Sequence, residues 1–267
     1  MSYPNQTPAR DAPLLCWREG SVAHLRFNRP DAMNAIDIPM AQAFLTACRA
    51  IAEDPLVRAV WISGSGRAFM AGGDIATMRH DPPAISRELI DGMHGGLRLL
   101  AQLRAPVVAS VHGAVAGGGF GLMLCCDLVI AAEATRFCVA YPLIGASCDC
   151  STSWALPRLV GMRKALELAL LADTFDAMEA LRLGLVNRVV PQTELHVNAE
   201  RTVQRLAAGP TLAYGHLKRL IRISLDNDLS AQLDAEAAGF QACAGTGDFA
   251  EGVAAFLDKR TPHFTGA

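Results

Sequence analysis

Apolar and polar positions alternate through LLCWREGSVAHLRFNRP (residues 14–30), pause at Glu19-Gly20 and resume, which predicts two short strands joined by a tight turn and ended by Pro30. Over 39–53, Met40, Phe44, Leu45, Ala47 and Ile51 approximate helical spacing behind Pro39, a residue suited to a first helical turn. VRAVWIS (57–63) reads as a buried strand, followed by the glycine-rich GSGRAFMAGGDIATM (64–78). Leu89, Ile90, Met93, Leu97 and Leu100 then form a helical stripe over 84–103. PVVASV (106–111) is the next strand, running through a second glycine turn into a short helix that ends near Cys125, with DLVIAA (127–132) a strand after it.

Strand, glycine turn and helix thus occur twice, and this alternation predicts a largely parallel sheet with crossover connections. After Trp154 the texture changes to helical patterns separated by Gly or Pro, with LVNRVV (185–190) the one strand candidate. The expected class is α/β, with a core domain over 1–200 and a helical subdomain over 201–267 that serves oligomerisation or acts as a lid.

Hydrophobic residues make up 51% of the 267 positions and charged residues 19%, an apolar balance that implies subunit contacts. A formal net charge of -2 supplies no broad basic field, so no nucleic-acid partner is expected. The run HLKRLIR (216–222) reads as an amphipathic helix face. MSYPNQTPARDAP at the start lacks the basic and apolar regions of a signal peptide, and no later run has the length of a membrane span. A cytoplasmic protein without membrane association is expected. The eight cysteines show no disulfide framework spacing and are read as reduced thiols. Cys148 and Cys150 flank Asp149, but no nearby His or second Cys pair completes a tetrahedral set, so no metal is expected.

Three glycine motifs are absent. A dinucleotide fingerprint begun at Gly117 or Gly119 ends on Leu122 or Leu124, there is no phosphate-binding Gly-Lys-Ser/Thr, and SGSG (63–66) has the wrong spacing for a nucleophile elbow. What remains is two strand-ending turns, AGGD (71–74) and AGGG (116–119), whose N–H groups lie near helix starts. On neighbouring parallel strands, one N–H from Gly73 and one from Gly118 could hold a single carbonyl oxygen whose charge grows during reaction. Tight strand-to-helix packing would use the same glycines.

NRPDAMNAI, AFMAGGDIATM, VHGAVAGGGFGLMLCCDLVIAAEATRF, LPRLVG and FLDKRTPHF, in order along nearly the whole chain, resemble successive signature segments of the crotonase (enoyl-CoA hydratase/isomerase) superfamily. The resemblance implies a crotonase-like ββα-repeat spiral core with a helical C-terminal part, and homotrimers often paired into hexamers. It also implies an acyl-CoA thioester substrate, with coenzyme A carried as part of the substrate and no separate cofactor. By matching motif positions, the thioester carbonyl would sit between Gly73 and Gly118, with Gly117 beside them. Ala32, Met33, Ala35, Ala71, Gly72, Asp74 and Ile75 would line the CoA pocket, with Phe256 and Lys259 completing it. Asp74 on its own chemistry reads as fixing its turn.

Hydratases of this family carry two glutamates that activate water across the double bond. The matching positions here are Gly121 and Tyr141, neither of them an acid. Ordinary hydration is therefore demoted. Asp127 and Glu133 read as structural, leaving Asp149 as the candidate base, against the alternative that it caps the following helix. A free aspartate is a weak base, and desolvation by Tyr141, Ile144 and Trp154 is the expected remedy. The position matches an aspartate used by some double-bond isomerases of the superfamily, whose chemistry needs one base to move one proton between C2 and C4. The segment 137–162 also resembles 4-chlorobenzoyl-CoA dehalogenase, whose nucleophilic aspartate, supporting tryptophan and water-activating histidine would fall on Asp149, Tyr141 and His94. Here a tyrosine replaces the tryptophan. Isomerisation ranks first, hydrolytic dehalogenation second, and an acyl-CoA binder without turnover third. The two glycines after His94 predict a kink or a close approach in that helix.

Overall fold

The computed structural model describes residues 11–79 and 81–267. The N-terminal pattern folds as the hairpin β1 (Leu14–Glu19) and β2 (Val22–Phe27), antiparallel, turning at Gly20 where φ is +57°. From β2 the sheet grows by parallel pairing through β3 (Ala59–Gly64), β4 (Val107–Val111), β6 (Leu128–Ala132) and β9 (Arg188–Val190), in the order β1-β2-β3-β4-β6-β9. All five residues of β4 are buried, as expected of a central parallel strand covered on both faces. The anticipated parallel α/β organisation is the one present.

One face of the sheet carries α1 (Ile38–Glu53) and α3 (Pro82–Gln102), which pack against each other. Asp37 caps α1 by accepting from the Met40 N–H at 2.9 Å, and Asp81 caps α3 through the Ala84 N–H at 3.2 Å. The glycines after His94 serve close approach, for α3 runs unbroken: a Cβ on Gly96 would lie 2.4 Å from the Phe44 ring, and one on Gly95 would lie 2.8 Å from Leu45. The other face carries α8 (Leu195–Ala207) over a second core containing Trp61, Val108 and Ile130. The expected division after residue 200 falls inside this helix.

A second, three-stranded sheet joins β5 (Ala114–Ala116), β7 (Arg136–Cys138) and β8 (Phe175–Asp176). These strands have only two or three residues each, too short to show alternation, and the sequence pattern missed them. Between β5 and β6 lies α4 (Gly118–Cys125), buried almost throughout. Within the first glycine-rich loop sits a single turn, α2 (Ile75–Met78). The chain continues through α5 (Thr152–Val160), α6 (Met162–Leu171) and α7 (Ala177–Arg182), and ends in α9 (Thr211–Ile223), α10 (Leu229–Ala244) and α11 (Gly247–Leu257).

The basic run on α9 is tied to the core. Lys218 and Arg222 each pair with Asp127, at 2.7 and 2.8 Å, and Asp127 also accepts the Val107 N–H at 2.8 Å. Among the described residues none of the eight cysteines is in a disulfide. Among the described residues no helix is long and apolar enough to cross a membrane.

Candidate active site

The first glycine turn is pinned from one side. Ala71 N–H donates to Met33 O at 3.1 Å, Ile36 N–H to Gly72 O at 2.8 Å, and Asp74 N–H to Ile36 O at 2.9 Å. Residues flanking Gly73 thus make the bridge to Ile36, and the Gly73 N–H faces the opposite side with no acceptor among the described residues. At the second turn, Gly117 caps α4 and donates its N–H to Cys138 O at 3.2 Å. The Gly118 N–H that follows opens the helix and also has no acceptor among the described residues, at the end where the peptide dipoles favour negative charge.

The two turns abut. Gly72 has φ +105° and Gly117 φ +51°; a Cβ on Gly72 would lie 3.2 Å from Ala116 O, and one on Gly117 would lie 3.6 Å from Gly72 Cα. Side chains are missing here because one backbone comes against the other. Ala71, Gly72, Gly73, Ile75, Gly117 and Gly118 line one cavity of about 550 Å³, which also receives His94, Tyr141 and Asp149. Its remaining wall is largely apolar, including Met78, Leu89, Ile90 and Met93.

Among the described residues Asp149 is the one carboxylate on that wall. It does not cap a helix: Ser151 is the N-cap of α5, without a side-chain bond. Instead the Tyr141 hydroxyl donates to Asp149 Oδ1 at 2.5 Å and lies 3.3 Å from its carbonyl oxygen. Tyr141 is buried, and its phenol is pushed far up, first by burial and then by the negative charge of Asp149. It therefore stays protonated and donates to the carboxylate. Of the other expected neighbours, Ile144 lines the cavity, whereas Trp154 is 45% exposed, lies under the Arg158 guanidinium at 4.3 Å and faces a different groove. Helix α5 turns Trp154 outward, so it does not desolvate Asp149.

Behind Asp149 the backbone is strained. Cys150 and Ser151 both occupy the left-handed region, with φ +47° and +70°, a conformation costing roughly 1–2 kcal/mol per non-glycine residue. Three contacts hold it: Cys150 N–H donates to His94 Nε2 at 3.1 Å, Ser151 Oγ meets Cys125 Sγ at 2.8 Å, and Thr152 N–H donates to Asp149 O at 2.9 Å. Because Nε2 accepts, His94 carries its proton on Nδ1. The same segment closes off position 121, where the resemblance to hydratases would place an acid. A Cβ on Gly121 would lie 2.4 Å from Cys150 O and 2.6 Å from Thr152 Oγ1. Cys150 was legible only as part of a CDC tripeptide; its contact with His94, 56 residues away, arises from the fold.

Other sequence candidates lie off the cavity wall. Asp74 pairs with Arg29 at 3.0 Å and caps α2 through the Thr77 N–H at 3.4 Å. Ala32, Met33 and Ala35 form the segment behind the first turn, joined to it through the Met33 carbonyl and to Arg29 through the Ala35 carbonyl. Phe256 and Lys259 are not brought to this cavity. Phe256 is 83% exposed and borders a separate apolar groove with Phe249, Val253 and Phe264. Lys259 follows at the end of α11, which is fixed away from the cavity by α10 and by buried Asp248, whose carboxylate accepts the Thr265 and Gly266 N–H groups at 2.6 and 2.8 Å.

The family profile described as Enoyl-CoA hydratase/isomerase matches residues 18–267. A probable enoyl-CoA hydratase of Rhodobacter capsulatus is 37% identical over 246 residues, covering 92% of this chain and 95% of that one. The 1,2-epoxyphenylacetyl-CoA isomerase of Escherichia coli is 36% identical over 258 residues, covering 95% and 98%. Among solved structures, a putative enoyl-CoA hydratase/isomerase from Mycobacterium abscessus superposes with a TM-score of 0.91 at 35% identity, covering 95% of this chain and all of that one. With this architecture and these relatives, the chain belongs to the enoyl-CoA hydratase/isomerase family of the crotonase superfamily.

Proposed function

We propose that the protein is an acyl-CoA double-bond isomerase, with coenzyme A arriving as part of the substrate and Asp149 as the sole base. The observation that carries this reading is that, among the described residues, Asp149 is the one carboxylate on the wall of the glycine-turn cavity. Hydration by the family's two-glutamate route has no counterpart, since Gly121 is sealed by Cys150 O and Tyr141 is a neutral phenol.

In this mechanism the thioester oxygen accepts from the Gly73 and Gly118 N–H groups. Asp149 removes a proton from C2 or C4, and the C–H electron pair enters a dienolate whose charge collects on that oxygen. The protonated Asp149 then returns the same proton at the other carbon, so no water or redox partner is consumed. Tyr141 orients the carboxylate, and the apolar wall excludes competing water.

His94 beside Asp149 supports a second reading, hydrolytic dehalogenation of an aryl-CoA. There Asp149 would displace halide from the ring, and water activated by His94 would cleave the aryl ester. Isomerisation is favoured because His94 Nε2 is already occupied by the Cys150 N–H.

Asp149→Asn, assayed against a 3-enoyl-CoA, a 2-enoyl-CoA and a halobenzoyl-CoA, tests the proposal. We expect wild-type turnover of the 3-enoyl thioester and a loss of about 10²–10⁴-fold in the variant. Full isomerase rate in the variant would remove Asp149 as base. Halide release dependent on both Asp149 and His94 would establish the dehalogenase instead, and acyl-CoA binding without turnover a non-catalytic binder.

A further inference from the structure

We infer that His94, Asp149 and Cys150 together bind one divalent transition-metal ion of zinc-like character inside the cavity, and that the occupied site excludes the acyl-CoA. The inference stands apart from which acyl-CoA reaction the protein performs. One ligand atom from each of the three residues, an imidazole nitrogen, a carboxylate oxygen and a thiol sulfur, lies within 4.8 Å of the other two. Tetrahedral zinc with bonds of about 2.0–2.3 Å places its ligand atoms roughly 3.5 Å apart, so no pair of the trio has to close by more than about 1.3 Å. A sequence search for a nearby histidine could not find this set, because His94 comes from the middle of α3 and the other two from the turn before α5.

The donor set selects the metal. One nitrogen, one oxygen and one sulfur suit a borderline-soft ion, whereas magnesium and calcium take oxygen shells. The frame is already held, since the Tyr141 hydroxyl donates to Oδ1 of Asp149 and Cys150 is fixed in a left-handed turn. The fourth position opens to the cavity and is available to water.

Protons balance. The buried Cys150 thiol brings one proton to the site. Coordination replaces that proton, which leaves to solvent, and the metal dication, thiolate and carboxylate then sum to zero charge. A metal bonded through His94 Nε2 exchanges the Cys150 N–H for a coordinate bond. Inhibition follows from position. Cys150 Sγ lies 3.5 Å from where a Gly118 Cβ would be, so the ion engages Asp149 next to the Gly118 turn.

Cobalt(II) titration of the full chain is the test, because a thiolate bound to cobalt gives an intense near-ultraviolet charge-transfer band. We expect this band in the wild type, its displacement by zinc, and its loss in Cys150→Ser. His94→Ala and Asp149→Asn should weaken binding by about tenfold or more. Cys148→Ala should leave the band intact. No band in the wild type, a band surviving Cys150→Ser, or one lost in Cys148→Ala overturns the site. X-ray absorption of the zinc-loaded wild type needs no variant. One sulfur with nitrogen and oxygen neighbours supports the assignment, and a shell with no sulfur or with two sulfurs refutes it.

Discussion

Tyr141, at a position where the resemblance to hydratases would place an acid, holds the proposed base instead. Its hydroxyl holds Asp149 at 2.5 Å, and hydrogen bonds to charged groups are worth about 1.5–3 kcal/mol. Tyr141→Phe should lower kcat for the 3-enoyl thioester by about 10- to 100-fold with little change in KM; an unaltered kcat would show that the bond does not position the base. A second residue, His24, sets an acid limit on stability. It stacks on Trp17 with ring centroids 4.5 Å apart, and burial lowers its pKa from 6.5 to about 4 against the opposing charge of Glu19. Above pH 6.5 His24 is neutral in both folded and unfolded chains. Below that pH the unfolded chain takes a proton that the native state refuses, so stability falls by about 1.4 kcal/mol per unit until about pH 4. His24→Phe should flatten the decline of Tm between those limits, and parallel curves for variant and wild type would refute this source.

Among the elements, α3 packs too closely on α1 to take an added methyl group without a shift. Gly92 and Gly96 face α1 so closely that a Cβ on Gly92 would lie 2.8 Å from Ala41 O, and one on Gly96 would lie 2.4 Å from Phe44. Helix propensity alone predicts that Gly96→Ala stabilises by about 1 kcal/mol. Overpacking reverses the sign, and we expect a loss of about 1–3 kcal/mol in urea unfolding. A stabilised variant would mean that the α1–α3 contact yields easily. His94 lies between these glycines, so the helix that closes the core also brings the imidazole to the turn behind Asp149.

For the whole molecule, the C-terminal helices expose large apolar residues, including Ile221 at 70%, Phe240 at 66%, Phe256 at 83% and Leu257 at 72%. A monomer rarely leaves so much apolar surface in water, and we propose a homotrimer or homohexamer that covers it. Analytical ultracentrifugation should give one of those masses, with Phe256→Glu shifting the distribution toward monomer. A wild-type monomer at micromolar concentration would exclude this arrangement. Phe256 and Lys259 were candidates for the CoA pocket, yet within one chain they border another groove or the end of its helix.

Much of the architecture could be read locally. The β1–β2 hairpin, the buried β3 and β4, the stripe of α3 and the two glycine turns each follow from alternation, helical period or missing side chains over a few residues, because those signals arise from which face of an element meets water. Asp149 was likewise found from sequence as the acid left over. Only the tertiary structure decided its surroundings. Trp154, five positions on, turns away on α5, while His94, far upstream, reaches the Cys150 N–H. Whether a glutamate could stand at position 121 was also settled in space, by the Cys150 carbonyl lying against Gly121. Hydrophobic patterning specifies faces, but which side chains share a cavity depends on crossings and strained turns that bring distant segments within a few ångströms.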